Sequence, residues 1–186
     1  VFIMDAARST GLRFSNVYTI GNAAGIGAED LLEMMDQNYE PGKQPRIKLL
    51  YLEQIKAPER FMKHCASLVR KGCQIAAIKA GSSEAGSRAA ASHTGALASS
   101  DAFVRAMFRK AGVVYCSGRN ELITVAAVFH SKALQDNRLA VITHAGGSAV
   151  MLTDALSSRG MQVPSLEGPA ASKLLRKLNP GSSVAN

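Results

Sequence analysis

The 186-residue chain has no tryptophan, and aromatic residues make up only 5% of it. Stacking on nucleic-acid bases therefore has little to work with, and the lysines and arginines are scattered rather than gathered into a stripe, so no nucleic-acid partner is expected. No apolar run approaches the roughly 18 residues of a membrane span, and no signal peptide opens the chain. Neither a membrane partner nor export is expected. Cys65, Cys73 and Cys116 form no CxxC pair and no even set. They read as small buried hydrophobes in a reducing, cytoplasmic compartment. A GxSxG nucleophile elbow is also missing, which argues against a Ser-His-acid hydrolase.

What is present is a globular composition, 47% hydrophobic, with a net charge of +8. That charge favours anionic partners such as phosphates or nucleotides. The length suits one ordinary domain or two small ones. The first residue is Val rather than Met, which suggests a fragment or a processed chain.

Short β-rich runs alternate with helical periodicity. Ile47 to Ile55, Gln74 to Lys79, Gly112 to Cys116 and Arg138 to Thr143 read as strands, apolar on both faces as in a covered parallel sheet, and Val17 to Ile20 is a weaker fifth. In "PERFMKHCASLVRKG", Phe61, Met62, Cys65, Leu68 and Val69 share a helical face, with Pro58 in the first turn and Gly72 as the stop. "SSDAFVRAMFRKAG" repeats that logic with Phe103, Val104, Met107, Phe108 and Ala111, a cap at Ser99 or Ser100, and Gly112 as its end. "EDLLEMM" gives a shorter helix whose Glu29 and Asp30 suit the helix dipole. The expected fold is α/β: a three-layer, doubly wound parallel sheet of flavodoxin-like subdomains, whose ligands bind beyond the carboxyl ends of the strands. A boundary near Ser131 to Asn137 separates residues 1–133 from 134–186.

Three constellations can carry chemistry. In "RLAVITHAGGSAVMLTDAL" a strand runs into Gly146, Gly147 and Ser148 at a helix start, where free backbone N–H groups form an anion site or simply close a tight turn. His144 beside it reads as structural. Glu53 stands close to the carboxyl end of a strong strand, as an acid for catalysis or as a solvated carboxylate. The third is a stretch of very small residues. Between Lys79 and Ala98 all but Lys79, Glu84, Arg88, His93 and Leu97 are Ala, Gly, Ser or Thr. A segment with so few apolar anchors moves at little cost, and its imidazole suits a general base, a metal ligand or a nucleophile. Metal fits worst, because no second ligand stands at ligand spacing. Lys79, Arg88 and Lys43 are possible phosphate contacts, but read better as solvated charge.

"KAGSSEAGSRAAASHTGALASSDAFVRAMFRKAGVV" resembles the phosphohistidine segment of the NDP-forming acyl-CoA synthetases, the group of ADP-forming acetyl-CoA synthetase, to which succinyl-CoA synthetase is related. "FSNVYTIGNAAGIGAEDLLEMM" and "LLYLEQIKAPERFMKHCASLVRKG" are similar to the stretches that precede it there, and "RLAVITHAGGSAVMLTDALSSRGM" to the start of the following subdomain. The resemblance spans essentially the whole chain in family order. It implies that His93, the histidine of SHTGA, carries a phosphoryl group between two half-reactions. In one, acyl-CoA and phosphate exchange through an acyl phosphate; in the other, ADP is phosphorylated on an ATP-grasp domain. It also implies that Glu53 hydrogen-bonds the ring, and that Gly146, Gly147 and Ser148 mark one of two helix N-termini that stabilise the phospho form. CoA, ATP/ADP and Mg²⁺ are the implied cofactors. The implied partners are an ATP-grasp domain or subunit, an N-terminal CoA-binding domain, and a small carboxylic acid or its acyl-CoA, within an oligomer.

The chain departs from the family pattern at His144, where relatives usually have Asn, and it lacks the second helix terminus, the CoA-binding domain and the ATP-grasp domain. It also stops at Asn186, where the family usually continues with Pro. It is therefore expected to be the central piece of a larger enzyme and inactive as a synthetase alone. The runner-up is a catalytically dead synthetase-like regulatory module, as in certain protein lysine acetyltransferases. The presence of both His93 and Glu53 favours the enzyme. A module binding a nucleotide or flavin would explain the fold but not the His93 stretch.

Overall fold

The computed structural model of the chain describes all residues except 1, 22–24, 84, 87–99, 133, 181 and 183–186. It divides into two compact units, Val1–Lys132 and Ala133–Asn186.

The first unit is built on three parallel strands, β1 (Ile47–Leu52), β2 (Gln74–Lys79) and β3 (Val113–Tyr115), in the order β1-β2-β3. Leu52 faces Lys79 across the β1–β2 ladder, and Ile75 faces Val113 across the next. Helices α1 (Phe2–Ala7), α2 (Ala28–Asn38), α3 (Pro58–Arg70), α4 (Asp101–Ala111) and α5 (Arg119–His130) surround the sheet, with a 3₁₀ turn at Arg8–Thr10. One core joins α2, α3 and α4 to the sheet through Leu32, Phe61, Leu68, Ile75, Val104 and Phe108. A second core, on Ala76, Ile78, Cys116 and Leu122, takes Ile3 of α1 and Phe129 of α5. Apolar residues on both faces of β2 thus bury on both sides, which gives the three-layer α/β architecture.

The crossover helices α3 and α4 follow their sequence signals. Pro58 sits in the first turn of α3, and Phe61, Cys65 and Leu68 are buried. Gly72, at φ +95°, takes the left-handed conformation that lets the chain turn into β2. Gly112 does the same for α4 at φ +74°, its N–H reaching the carbonyls of Phe108 and Arg109. Phe61 and Phe108 stack with ring centroids 5.5 Å apart, locking the two helices together. The three cysteines are buried and unpaired.

Several expectations are corrected. Phe103 is exposed rather than part of the apolar face, because the core-facing stripe of α4 is already filled by Val104, Met107, Phe108 and Ala111. Ser100 occupies the N-cap position of α4, but its hydroxyl makes no capping bond. The first strand ends at Leu52 rather than Ile55, and Val17 to Ile20 forms no strand. Arg138 to Thr143 forms no strand either; only Arg138 bridges, in parallel, to Gln162. A strand needs a partner along its length, and apolar composition alone does not supply one. Helix α5 was not foreseen as an element.

The second unit contains α6 (Gly146–Ser157) and α7 (Gly168–Leu175). Among its described residues only Ala171 is buried, while Val150 and Met151 on α6 are exposed.

Candidate functional site

In a parallel sheet the strands all end on one edge, and here that edge is drawn by Leu52, Lys79 and Tyr115. Helix α4 begins at the same edge. The Tyr115 hydroxyl donates to Oδ1 of Asp101, the first residue of α4, at 3.0 Å. Nε of Arg105 donates to the other oxygen of Asp101 at 2.6 Å, and the Arg105 guanidinium lies 3.9 Å from the centre of the Tyr115 ring. On the other side, the N–H of Ala80 donates to the carbonyl of Leu52 at 2.8 Å, prolonging the β1–β2 ladder by one bond. The connection from β2 to α4 therefore leaves and returns at one edge.

Glu53 follows Leu52 directly and is exposed at this edge. Lys79, read from the sequence as solvated charge, is instead buried, at 8% exposure. Its Nζ donates to the carbonyl of Ala80 at 2.6 Å. Burial pushes its ammonium below the usual lysine range, while the charges of Glu53 and Asp101 act in the opposite sense. Asp101 is held below the usual carboxylate range, first by its bond from Arg105, then by that from Tyr115, with smaller help from the charges of Arg105 and Lys79. His93 and Arg88 lie outside the described residues. Lys43 is exposed and paired with Glu40 at 2.5 Å.

Gly146, Gly147 and Ser148 form the first turn of α6 in the second unit, after the N-cap residue Ala145. Nothing stands within 4 Å of where a side chain would begin at either glycine, so the approach to this turn is open. Ser148 and Thr143 line a shallow depression with Val141 and Leu152. His144 is exposed.

Away from the edge, α2 and α3 meet through a polar cluster that the sequence did not signal. Nδ1 of His64 lies 2.9 Å from Oδ2 of Asp36, and Lys71 donates to Oδ1 of Asp36 at 2.8 Å. Arg60 pairs with Glu33 and, at 2.9 Å, with Asp30. Glu29 is buried, its Oε1 accepting the N–H of Ala57 at 2.6 Å, which fastens the start of α3 to the start of α2. These groups are satisfied within the fold and serve packing. Among the described residues no three His, Cys, Asp or Glu side chains are grouped to hold a metal. Nor is any described helix long and apolar enough to cross a membrane.

The model of the succinyl-CoA ligase like flavodoxin domain matches residues 1–129. The alpha subunit of the ADP-forming acetate–CoA ligase II of Pyrococcus furiosus is 36% identical over 173 residues, covering 93% of this chain and 37% of its own length. An ADP-forming acetate–CoA ligase of Methanocaldococcus jannaschii is 34% identical over 99% of this chain, which spans 25% of that protein. Among solved structures, the dinucleotide forming acetyl-coenzyme A synthetase 1 of Ca. Korarchaeum cryptofilum, in complex with phosphate and ADP, superposes with a TM-score of 0.80 at 27% identity. That match covers all of this chain and 39% of the solved one. The chain thus spans between a quarter and two fifths of the proteins it matches.

Proposed function

The chain belongs to the family of succinyl-CoA ligase like flavodoxin domains, and from that membership we propose that it is the phosphohistidine-bearing part of an ADP-forming acid–CoA ligase. Taken with its other parts, the enzyme interconverts acyl-CoA, ADP and phosphate with a carboxylic acid, CoA and ATP. The observation that carries this reading is the sheet edge. The connection that holds His93 has both of its ends there, beside Glu53.

The central step uses the lone pair of the unprotonated ring nitrogen of His93. It forms a P–N bond with the phosphorus of an acyl phosphate as the P–O bond to the acyl group breaks, and the carboxylate leaves with that electron pair. The other ring nitrogen keeps its proton, held by Glu53, which fixes the tautomer and steadies the charge that develops on the ring. In the second half-reaction an oxygen of the terminal phosphate of ADP attacks the same phosphorus, and the P–N bond returns its electrons to the ring. Gly146, Gly147 and Ser148 bind phosphate through the free N–H groups of the first turn of α6; a partly buried helix end contributes up to about 2 kcal/mol toward an anion.

The relatives' lengths support further parts beyond these residues: an ATP-grasp domain or subunit that holds the nucleotide with Mg²⁺, and a CoA-binding domain. The relatives' names speak for the ligase rather than for the regulatory module. Exposed apolar side chains of α6, Val150 and Met151, suit a surface that another part of the protein covers.

The test uses the full-length protein with any partner subunit, labelled ATP and Mg²⁺. Acid-labile, base-stable label that disappears in His93→Ala is the expected result. Label that survives without His93, or none in a folded, ATP-binding wild type, would overturn the reading.

A further inference from the structure

Glu29 is 2% exposed, and the bond it makes reaches beyond its own helix. Its Oε1 accepts the N–H of Ala57 at 2.6 Å, across 28 residues of chain. Ala57 is the last residue of the link between β1 and α3, at the N-cap of α3, where no side chain caps the helix. At the other end of that link the carbonyl of Leu52 is held by the N–H of Ala80 at 2.8 Å. Glu53, Gln54, Ile55 and Lys56 lie between these two anchors. Among the described residues no backbone hydrogen bond holds Glu53, Gln54 or Ile55, although the Ile55 side chain packs on the core. Where Glu53 stands is therefore set largely by the two ends of the link, and Glu29 fixes one of them.

The packing of α2 on α3 does not call for this bond. Arg60 with Asp30 and Glu33, and Asp36 with His64 and Lys71, already join the two helices. Gly27 points the same way. Its φ of −96° suits any residue, yet a Cβ there would collide with Oε2 of Glu29. The missing side chain leaves room for the carboxyl group in the place from which it reaches Ala57.

We propose that Glu29 is a positioning residue for Glu53: by holding the N–H of Ala57 it fixes the link that presents Glu53 at the carboxyl edge of the sheet. This rests on the reading of Glu53 given above and adds to it the residue that sets where Glu53 stands. Glu29 touches no substrate and moves no proton. Its effect is geometric, and a misplacement of about 1 Å in an aligned group costs as much as about 100-fold in rate.

The experiment uses the full-length enzyme with any partner subunit. It compares wild type, Glu29→Ala, Glu29→Gln, Gly27→Ala, Glu53→Gln, and Glu29→Ala combined with Glu53→Gln. It follows the rate of labelling at saturating ATP, the ATP concentration that gives half that rate, and the melting temperature. Glu29→Ala is expected to label about 10- to 100-fold more slowly, with half-saturation within about twofold of wild type. Glu29→Gln keeps an acceptor oxygen for Ala57 and should stay within about threefold of the wild-type rate. Gly27→Ala leaves the link and its charges untouched but displaces the Glu29 carboxyl group. It should slow labelling about tenfold while melting within about 5 °C of wild type. On the Glu53→Gln background, Glu29→Ala should cost less than about twofold more, because no carboxylate is left to position. Wild-type labelling in folded Glu29→Ala would overturn the proposal. So would a Glu29→Ala loss that carries over undiminished to the Glu53→Gln background, which marks a purely structural acid. Wild-type labelling in Glu53→Gln, or no label in wild type, fails differently: it removes the reading of Glu53 or of the carrier, and this proposal with it.

Discussion

Nδ1 of His64 and Oδ2 of Asp36 stand 2.9 Å apart in a contact buried between α2 and α3, and the same carboxylate takes a bond of 2.8 Å from Lys71. Burial alone would raise the Asp36 carboxyl above its usual value of 3.8, but hydrogen bonds from Lys71, His64 and Ser67 outweigh it and hold it at about 2. A carboxyl depressed in the folded state contributes stability above its unfolded pKa and loses it as pH falls through the folded value. The contribution should therefore be complete above pH 3.8 and gone below about 2. At neutral pH it is worth on the order of 1–2 kcal/mol after solvent screening. Urea unfolding of wild type and Asp36→Asn across this window checks it: the difference between the two should shrink as the pH falls.

Phe108 is fully buried and stacked on Phe61, so truncating it removes both its own burial and the contact that ties α3 to α4. Phe108→Ala is expected to cost about 3–5 kcal/mol in chemical denaturation. Phe103→Ala, one face away and exposed, should stay within about 0.5 kcal/mol of wild type.

Gly112 combines two requirements, a φ of +74° and a neighbour, Val69 Cγ1, 3.1 Å from where its Cβ would stand. Gly112→Ala should destabilise by about 1–2 kcal/mol through the left-handed backbone alone, and further through the crowding. Adding Val69→Ala tests the division: in a double-mutant cycle it should relieve the crowding and leave the backbone part untouched.

Glu53→Gln keeps the shape of the side chain and removes its charge. In the full-length enzyme we expect labelling of His93 from ATP to slow by about 100-fold or more, with the melting temperature unchanged because Glu53 is exposed. Labelling at the wild-type rate would remove Glu53 from the site.

Where side-chain pattern and backbone requirement coincide, the sequence is readable. Strand β2 is apolar on both faces because both faces are covered, and α3 runs from Pro58 to its stop at Gly72 because φ and periodicity agree there. Helix α5 has no counterpart in the sequence reading, because its β-branched Ile123, Thr124, Val125 and Val128 weaken the helical signal. Arg138 to Thr143 misleads for the converse reason: it has strand composition, yet beyond the bridge at Arg138 it has no ladder. Glu53 could be placed at the strand end from its position alone. The burial of Lys79 could not, since a lysine ending a strand looks solvated in the sequence, whereas here it is 8% exposed.

The pinning of α4 at Asp101 also sets a length. His93 is eight residues before Asp101 in the chain. Fully extended, a stretch of that size spans at most about 29 Å. With Asp101 held by Tyr115 and Arg105, chain length alone keeps His93 inside a sphere of that radius around the start of α4. A nucleotide bound farther away must be carried into the sphere by movement of whole domains, or the first turn of α4 must come undone. The reach of the proposed carrier is thus written into where a helix begins.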